Sequence, residues 1–237
     1  MGIAFMRCPL RTVAWVELVC CCLAVSTVPL LAEEPVHLAV AAAALPEEVA
    51  EPIRKVLNDQ AVTLADGTST FFQFWFRKEL PLAQAPVGGT LALDTLQEGT
   101  VLGVLKVNSE RHDFRDEEIP TGIYILRFGI QPEDGNHLGV APTRTFALLI
   151  PAKDDTQLDP VAHEELMKAA AVINAVSHPS NLNLQPVEQA DGEFPRLEER
   201  NDGQHKVLLL QFPARLSTSD DVTKLNVALV YEGIGQL

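Results

Sequence analysis

The side chains best suited to chemistry lie in two short runs near the middle of this 237-residue chain, His112-Asp113-Phe114-Arg115 and Glu133-Asp134-Gly135-Asn136-His137. The second run belongs to a polar loop, 131–143, set between two apolar stretches. Gly135 and Gly139 allow sharp turns there, so the oxygens of Glu133, Asp134 and Asn136 and the His137 imidazole could converge. Oxygen ligands plus imidazole suit a divalent cation. The simpler reading is an Asx-type turn at Asp134-Gly135-Asn136 with His137 hydrogen-bonding locally, because the spacing matches no known ligand pattern. If the flanking strands are neighbours, His112 and Asp113 fall at the same end of the fold, and His112 beside a carboxylate becomes a general base. Adjacent strand positions face opposite ways, which weakens a direct His112–Asp113 pair. The surrounding run Arg111, Asp113, Arg115, Asp116, Glu117 and Glu118 reads as a solvated loop whose exposed ion pairs each contribute little.

Familiar catalytic signatures fail on inspection. His163-Glu164 opens like a zinc-protease helix, but the position that needs the second histidine is Met167. No Gly-x-Ser-x-Gly elbow and no phosphate-cradling Gly-rich loop with Lys occur. His178 before Pro179 marks a helix exit. Trp75 and Tyr124 could stack on sugars, but their strands need them for a core.

The elements that must position these residues are mostly strands. Val36 to Ala44 reads as a first strand or a frayed helical start. Val62 to Leu64 and Phe71 to Phe76 flank Asp66-Gly67, the expected chemistry of a tight hairpin turn. Phe72, Phe74 and Phe76 share one face and Phe71, Gln73 and Trp75 the other, so this strand is covered on both sides. Leu102 to Val107, Ile123 to Phe128 and Thr145 to Ile150 read as further strands, and Val207 to Phe212 pairs with Val222 to Tyr231. Pro46 and its acidic followers open a helix over 46–57, interrupted by Pro52, and apolar spacing predicts another over 161–176. Residues 188–204 read as a loop or hairpin end. The sum is a mainly β chain, an antiparallel β-sandwich with two decorating helices. Residues 33–237 form one domain, with the charged stretch 151–160 as the only plausible internal boundary.

Pro120-Thr121-Gly122-Ile123-Tyr124-Ile125-Leu126 resembles a strand of secreted β-sandwich modules, transthyretin-like and carbohydrate-binding-like ones among them. His112-Asp113-Phe114-Arg115, that strand, and Gln131-Pro132-Glu133-Asp134-Gly135-Asn136-His137-Leu138-Gly139 together resemble an uncharacterised family of exported bacterial proteins. Phe74-Trp75-Phe76-Arg77-Lys78 and the run 143–150 fit the same picture. The resemblance implies export and a β fold. It carries no activity.

All four cysteines, Cys8, Cys20, Cys21 and Cys22, lie in a stretch that reads as a secretion leader, 1–32: Arg7 and Arg11, an apolar run from Leu18 to Leu31, then Ala32 before Glu33-Glu34-Pro35. Its removal leaves a cysteine-free chain without disulfides or thiol chemistry. The apolar run falls short of the about 20 residues a membrane span needs, and no later segment approaches that length. The formal net charge is −14, and loss of Arg7, Arg11 and Glu17 makes the product one unit more negative. Such a surface repels phosphate backbones and excludes nucleic acid as a natural partner. Two functional readings follow. The favoured one is an exported, non-catalytic module without cofactor, binding a protein, peptide or glycan of the cell envelope through His112, Asp113, Arg115, Glu133, Asp134, Asn136 and His137. The alternative is a small metal-dependent hydrolase using His112, Asp134 and His137.

Overall fold

The computed structural model describes residues 1–2, 35–84, 93–131, 143–173, 179–187 and 191–233. Residues 34–237 gather into one compact unit. Its strands are β1 (Val36–Ala42), β2 (Gln60–Asp66), β3 (Ser69–Phe76), β4 (Leu80–Leu82), β5 (Val101–Val107), β6 (Arg111–His112), β7 (Glu118–Ile119), β8 (Gly122–Ile130), β9 (Thr145–Pro151), β10 (Asn181–Pro186), β11 (Arg196–Arg200), β12 (His205–Leu216) and β13 (Val222–Gly233). Two helices accompany them, α1 (Glu51–Arg54) and α2 (His163–Ala170). The chain is mainly β with two decorating helices, as the strand patterns require.

The two faces of the expected sandwich belong to one sheet, ordered β1-β2-β3-β5-β8-β9-β10-β13-β12-β11, with every neighbour antiparallel. The sheet rolls back on itself through β4. That strand follows β3 after three residues and pairs in parallel with β12 (Leu80 beside Ala214, Leu82 beside Leu216). Arg215 and Glu79 form a two-pronged ion pair at this seam, both bonds 2.9 Å. Ordinary strand alternation then divides the residues. Phe72, Phe74, Phe76, Leu105, Leu126, Phe128, Leu149, Leu184, Leu210, Phe212, Leu229 and Tyr231 fill the interior. Phe76 meets Phe212 edge-to-face at 5.4 Å across it. The packing leaves a cavity of about 10 Å³, lined only by apolar side chains, Phe76 and Leu229 among them.

The outer face is covered in patches. α1 lays Ile53 over Trp75, Val104 and Ile125. α2 lays Leu166 and Ala170 over Leu148 and Ile150. The β6–β7 hairpin presses Phe114 onto Phe146, Val207 and Val230. β3 is therefore covered on both sides, with Phe71 and Trp75 buried as firmly as Phe72 and Phe74.

Several expectations need correction. The first helix is only Glu51–Arg54, and Pro52 sits in its first turn, where a missing N–H costs nothing, instead of breaking it. Residues 45–50 turn instead, and their carbonyls at Leu45, Pro46 and Val49 accept hydrogen bonds from the Arg54 guanidinium. The second helix is His163–Ala170, shorter than 161–176 at both ends. Within the low-hydrophobicity stretch 188–204, the hairpin-end alternative holds from 196 onward, where Arg196–Arg200 forms β11 and pairs antiparallel with β12. β10 was not expected, because its Asn181, Asn183 and Gln185 alternate with Leu182 and Leu184 yet are buried as well.

Candidate functional site

The run His112 to Glu117 folds into a loop built around one carboxylate. Asp113 Oδ1 accepts the backbone N–H of Arg115 (2.7 Å) and of Glu117 (3.1 Å). Asp113 Oδ2 is paired with the Arg115 guanidinium at 2.9 Å. Arg115 Nη2 also reaches Glu117 Oε2 (2.8 Å) and donates to the Pro179 carbonyl (3.3 Å). Asp116 turns the chain with φ 64°. Asp113 is 1% exposed, so the solvated loop expected from its charges is instead a packed one. Its carboxylate is fully engaged in holding Phe114 over the sheet. His112 stands exposed on β6 opposite Glu118. His112 and Asp113 are thus parted by burial, the one exposed at the end of β6 and the other buried in the loop that follows. Glu133, Asp134, Asn136, His137 and His178 lie outside the described residues. His163, which opens the zinc-protease-like run, has its Nδ1 2.9 Å from Glu98 Oε1. Among the described residues, no group of three His, Cys, Asp or Glu is close enough to hold a metal ion.

Beside this loop runs a chain of alternating charge. Arg111 pairs with Asp66 and lies 4.0 Å over the Phe71 ring. Its other nitrogen is 3.9 Å from Glu232, which is 2.6 Å from Lys206. Two cations and two carboxylates neutralise one another and tie the β6–β7 hairpin to β2, β12 and β13. Burial, reinforced by Glu232, pushes the neighbouring Tyr231 hydroxyl well above the ordinary phenol range. At the start of β12, next to Lys206, Asn201 Nδ2 lies 3.0 Å from His205 Nδ1. An amide nitrogen only donates, so the imidazole proton sits on Nε2. Burial, and then the Arg200 charge, hold His205 below the usual histidine range.

Sequence reasoning missed the most deeply buried charge. Arg127 is 0% exposed and Asp155 6%, and they form a bidentate pair at 2.6 and 2.8 Å. The remaining guanidinium protons go to the carbonyls of Gly99, Gln157 and Asp159. Gly99 has φ +84°, and a Cβ there would lie 2.2 Å from the Val161 oxygen, so only glycine brings this carbonyl into reach. The stretch 151–160, which reads as an internal boundary, is laced to the sheet by this lock. An arginine inside the apolar run Tyr124 to Phe128 was the available signal. A buried charge of this kind is paired.

These clusters satisfy one another. Among the described residues, the edge of β1 stays open. β1 pairs with β2 from Val36 opposite Asp66 to Ala42 opposite Gln60 and ends the sheet, with no neighbour among the described residues on its other side. A bare edge of seven residues is about 20 Å of unpaired main chain. Val36 and Leu38 pack against the interior, while His37 and Ala39 to Ala42 are exposed, Val40 by 44%. The Ala42 end is fixed in place: Ala43 N–H donates to Asp59 and its carbonyl accepts from Trp75 Nε1. β1 has no Lys, no Pro and no bulge, the devices that normally blunt an edge. The opposite edge, β11, is instead guarded by charge in the sequence Arg-Leu-Glu-Glu-Arg, with Arg200 and Glu198 paired at 2.8 Å. Comparison with known proteins finds no matching family model, no similar curated protein and no similar solved structure.

Proposed function

We propose that this chain is an exported, non-catalytic binding module that takes an extended segment of a partner protein as an added strand on β1. The open, small-residue, uncharged edge of β1 carries the reading, seen against the charge-guarded edge of β11. An added strand gains affinity from main-chain hydrogen bonds and specificity from alternate side chains. The exposed alanines leave room for a partner's side chains, and anchorage through Ala43 means that little ordering is lost on docking. Export rests on the leader-like stretch 1–32, and recovery of a product beginning at Glu33 by intact mass would bear it out.

Proline scanning of the strand tests the docking. In an antiparallel ladder adjacent residues alternate, one donating its N–H to the neighbour and the next pointing it outward. Of Ala39→Pro and Val40→Pro, one therefore breaks the β1–β2 ladder and melts earlier, and the other removes an outward donor alone. A fluorescent seven-residue peptide of alternating Val and Thr, titrated by anisotropy, should bind the wild type and lose binding to the variant whose melt is unchanged. Undiminished binding to that variant would contradict the reading.

A further inference from the structure

We infer that the strand docking on β1 is basic at the end that lies beside Ala42, which for antiparallel pairing is its N-terminal end. The inference rests on the docking reading above and adds the partner's chemistry. The two ends of β1 differ in charge. Opposite Val36, Asp66 is already paired with Arg111, and Glu232 nearby is paired with Lys206. Beyond Ala42 the balance is unmet. Asp59 stands exposed beside Ala43, and Glu47 and Glu48 are exposed in the turn that follows β1.

Two cations of that region are occupied elsewhere, and Lys78, exposed and bonded through its backbone N–H to the Val56 carbonyl, is outnumbered by the three carboxylates. Arg54 is turned onto the carbonyls of Leu45, Pro46 and Val49, and Lys55 pairs with Glu51 at 3.5 Å. Glu47, Glu48 and Asp59 make no ion pair with a described residue. Rim charges of this kind steer and orient a partner more than they tighten it. A second copy of this chain is the poorer occupant, since each copy carries a formal charge of −14 and the two repel.

Three peptides test it, each an alternating Val/Thr heptamer: one with two lysines added at the N-terminus, one with two lysines at the C-terminus, one with two glutamates at the N-terminus. Binding is read by anisotropy at low salt, with hydrogen exchange of the amides of 36–42 as the locator. The N-terminally basic peptide should bind roughly five- to tenfold tighter than the acidic one, the effect of about two exposed ion pairs. High salt should erase the difference, and so should Asp59→Lys with Glu48→Lys, both exposed sites whose substitution leaves the melt unchanged.

Equal binding of all three with β1 protected would overturn the charge inference and leave the docking reading standing. Tighter binding of the C-terminally basic peptide would overturn the stated polarity. No protection by any peptide would overturn the docking reading itself. Protection of β1 that grows with protein concentration alone would make a second copy the occupant and overturn the inference.

Discussion

Substitution of Asp155 by Asn is the sharpest probe of how the fold is held. The change keeps the shape of the side chain and removes its charge, so the Arg127 guanidinium stays buried at 0% exposure without a counter-ion. Breaking one partner of a buried pair costs about 3–5 kcal/mol. Against a total stability of about 5–15 kcal/mol this is a large fraction. With a urea m-value of about 2 kcal/mol/M, the unfolding midpoint should fall by about 2 M at unchanged slope. Replacing both residues by leucine should not restore the wild-type midpoint. Apolar pairs often replace buried ion pairs without loss, but here the buried Gly99 carbonyl loses its donor as well, an orphan that costs about 1–3 kcal/mol. The 151–160 segment should also become sensitive to protease in the Asn variant. A midpoint shift under about 0.5 M would refute the view that this pair is a desolvated lock, because only a hydrated pair is worth so little.

Other outcomes follow from particular contacts. Asp113→Ala should destabilise by about 2–4 kcal/mol in urea melts, since two backbone N–H groups and Arg115 lose their acceptor, while Asp113→Asn, which keeps Oδ1, should cost less. Gly122→Ala places a Cβ 2.9 Å from the Tyr124 hydroxyl and should cost about 1–3 kcal/mol by displacing the ring and its bond to Pro120. Much of that cost should persist in a Tyr124→Phe background, because ring carbons 3.0 and 3.2 Å from the new Cβ remain, and should disappear in Tyr124→Ala. His205 has a folded-state pKa below its unfolded value, so the unfolded chain binds more protons and stability falls as pH drops below about 6.5. Urea midpoints at pH 7.5 and 5.5 should differ in the wild type and converge in His205→Gln. Elemental analysis of protein purified without chelator should find no stoichiometric metal, and equimolar zinc or calcium would revive the hydrolase reading around His112, Asp134 and His137.

Local chemistry was legible wherever it decides local structure. Asp66-Gly67 forms the β2–β3 turn with Gly67 at φ 54°, and the alternation of Phe72, Phe74 and Phe76 already identifies the inner face. The run Pro-x-Gly-x-Tyr also spells out its own corner, since the Tyr124 hydroxyl donates back to the Pro120 carbonyl at 2.8 Å, a device of β-sandwich strands. Long-range pairing was not legible. Asp113 looks like one more surface carboxylate until Arg115 and two backbone amides are seen to surround it. Arg127 and Asp155 stand 28 residues apart, and nothing in either neighbourhood names the other. β10 hides because its polar face is buried in amide contacts, Gln185 to Asn183 and Asn183 to Thr143. The edge was hidden for a different reason. Val36 to Ala42 reads as a strand, but whether a strand is central or terminal depends on the order of all the others.

Residue-resolved amide exchange across 36–42 in the free protein tests the open edge most directly. The account predicts an alternating pattern, with inward amides held by β2 and outward amides exchanging freely, the latter slowing when the basic Val/Thr peptide is added. Seven amides protected alike in the free protein would mean that the edge is already covered, and the proposed docking strand would have no place to bind.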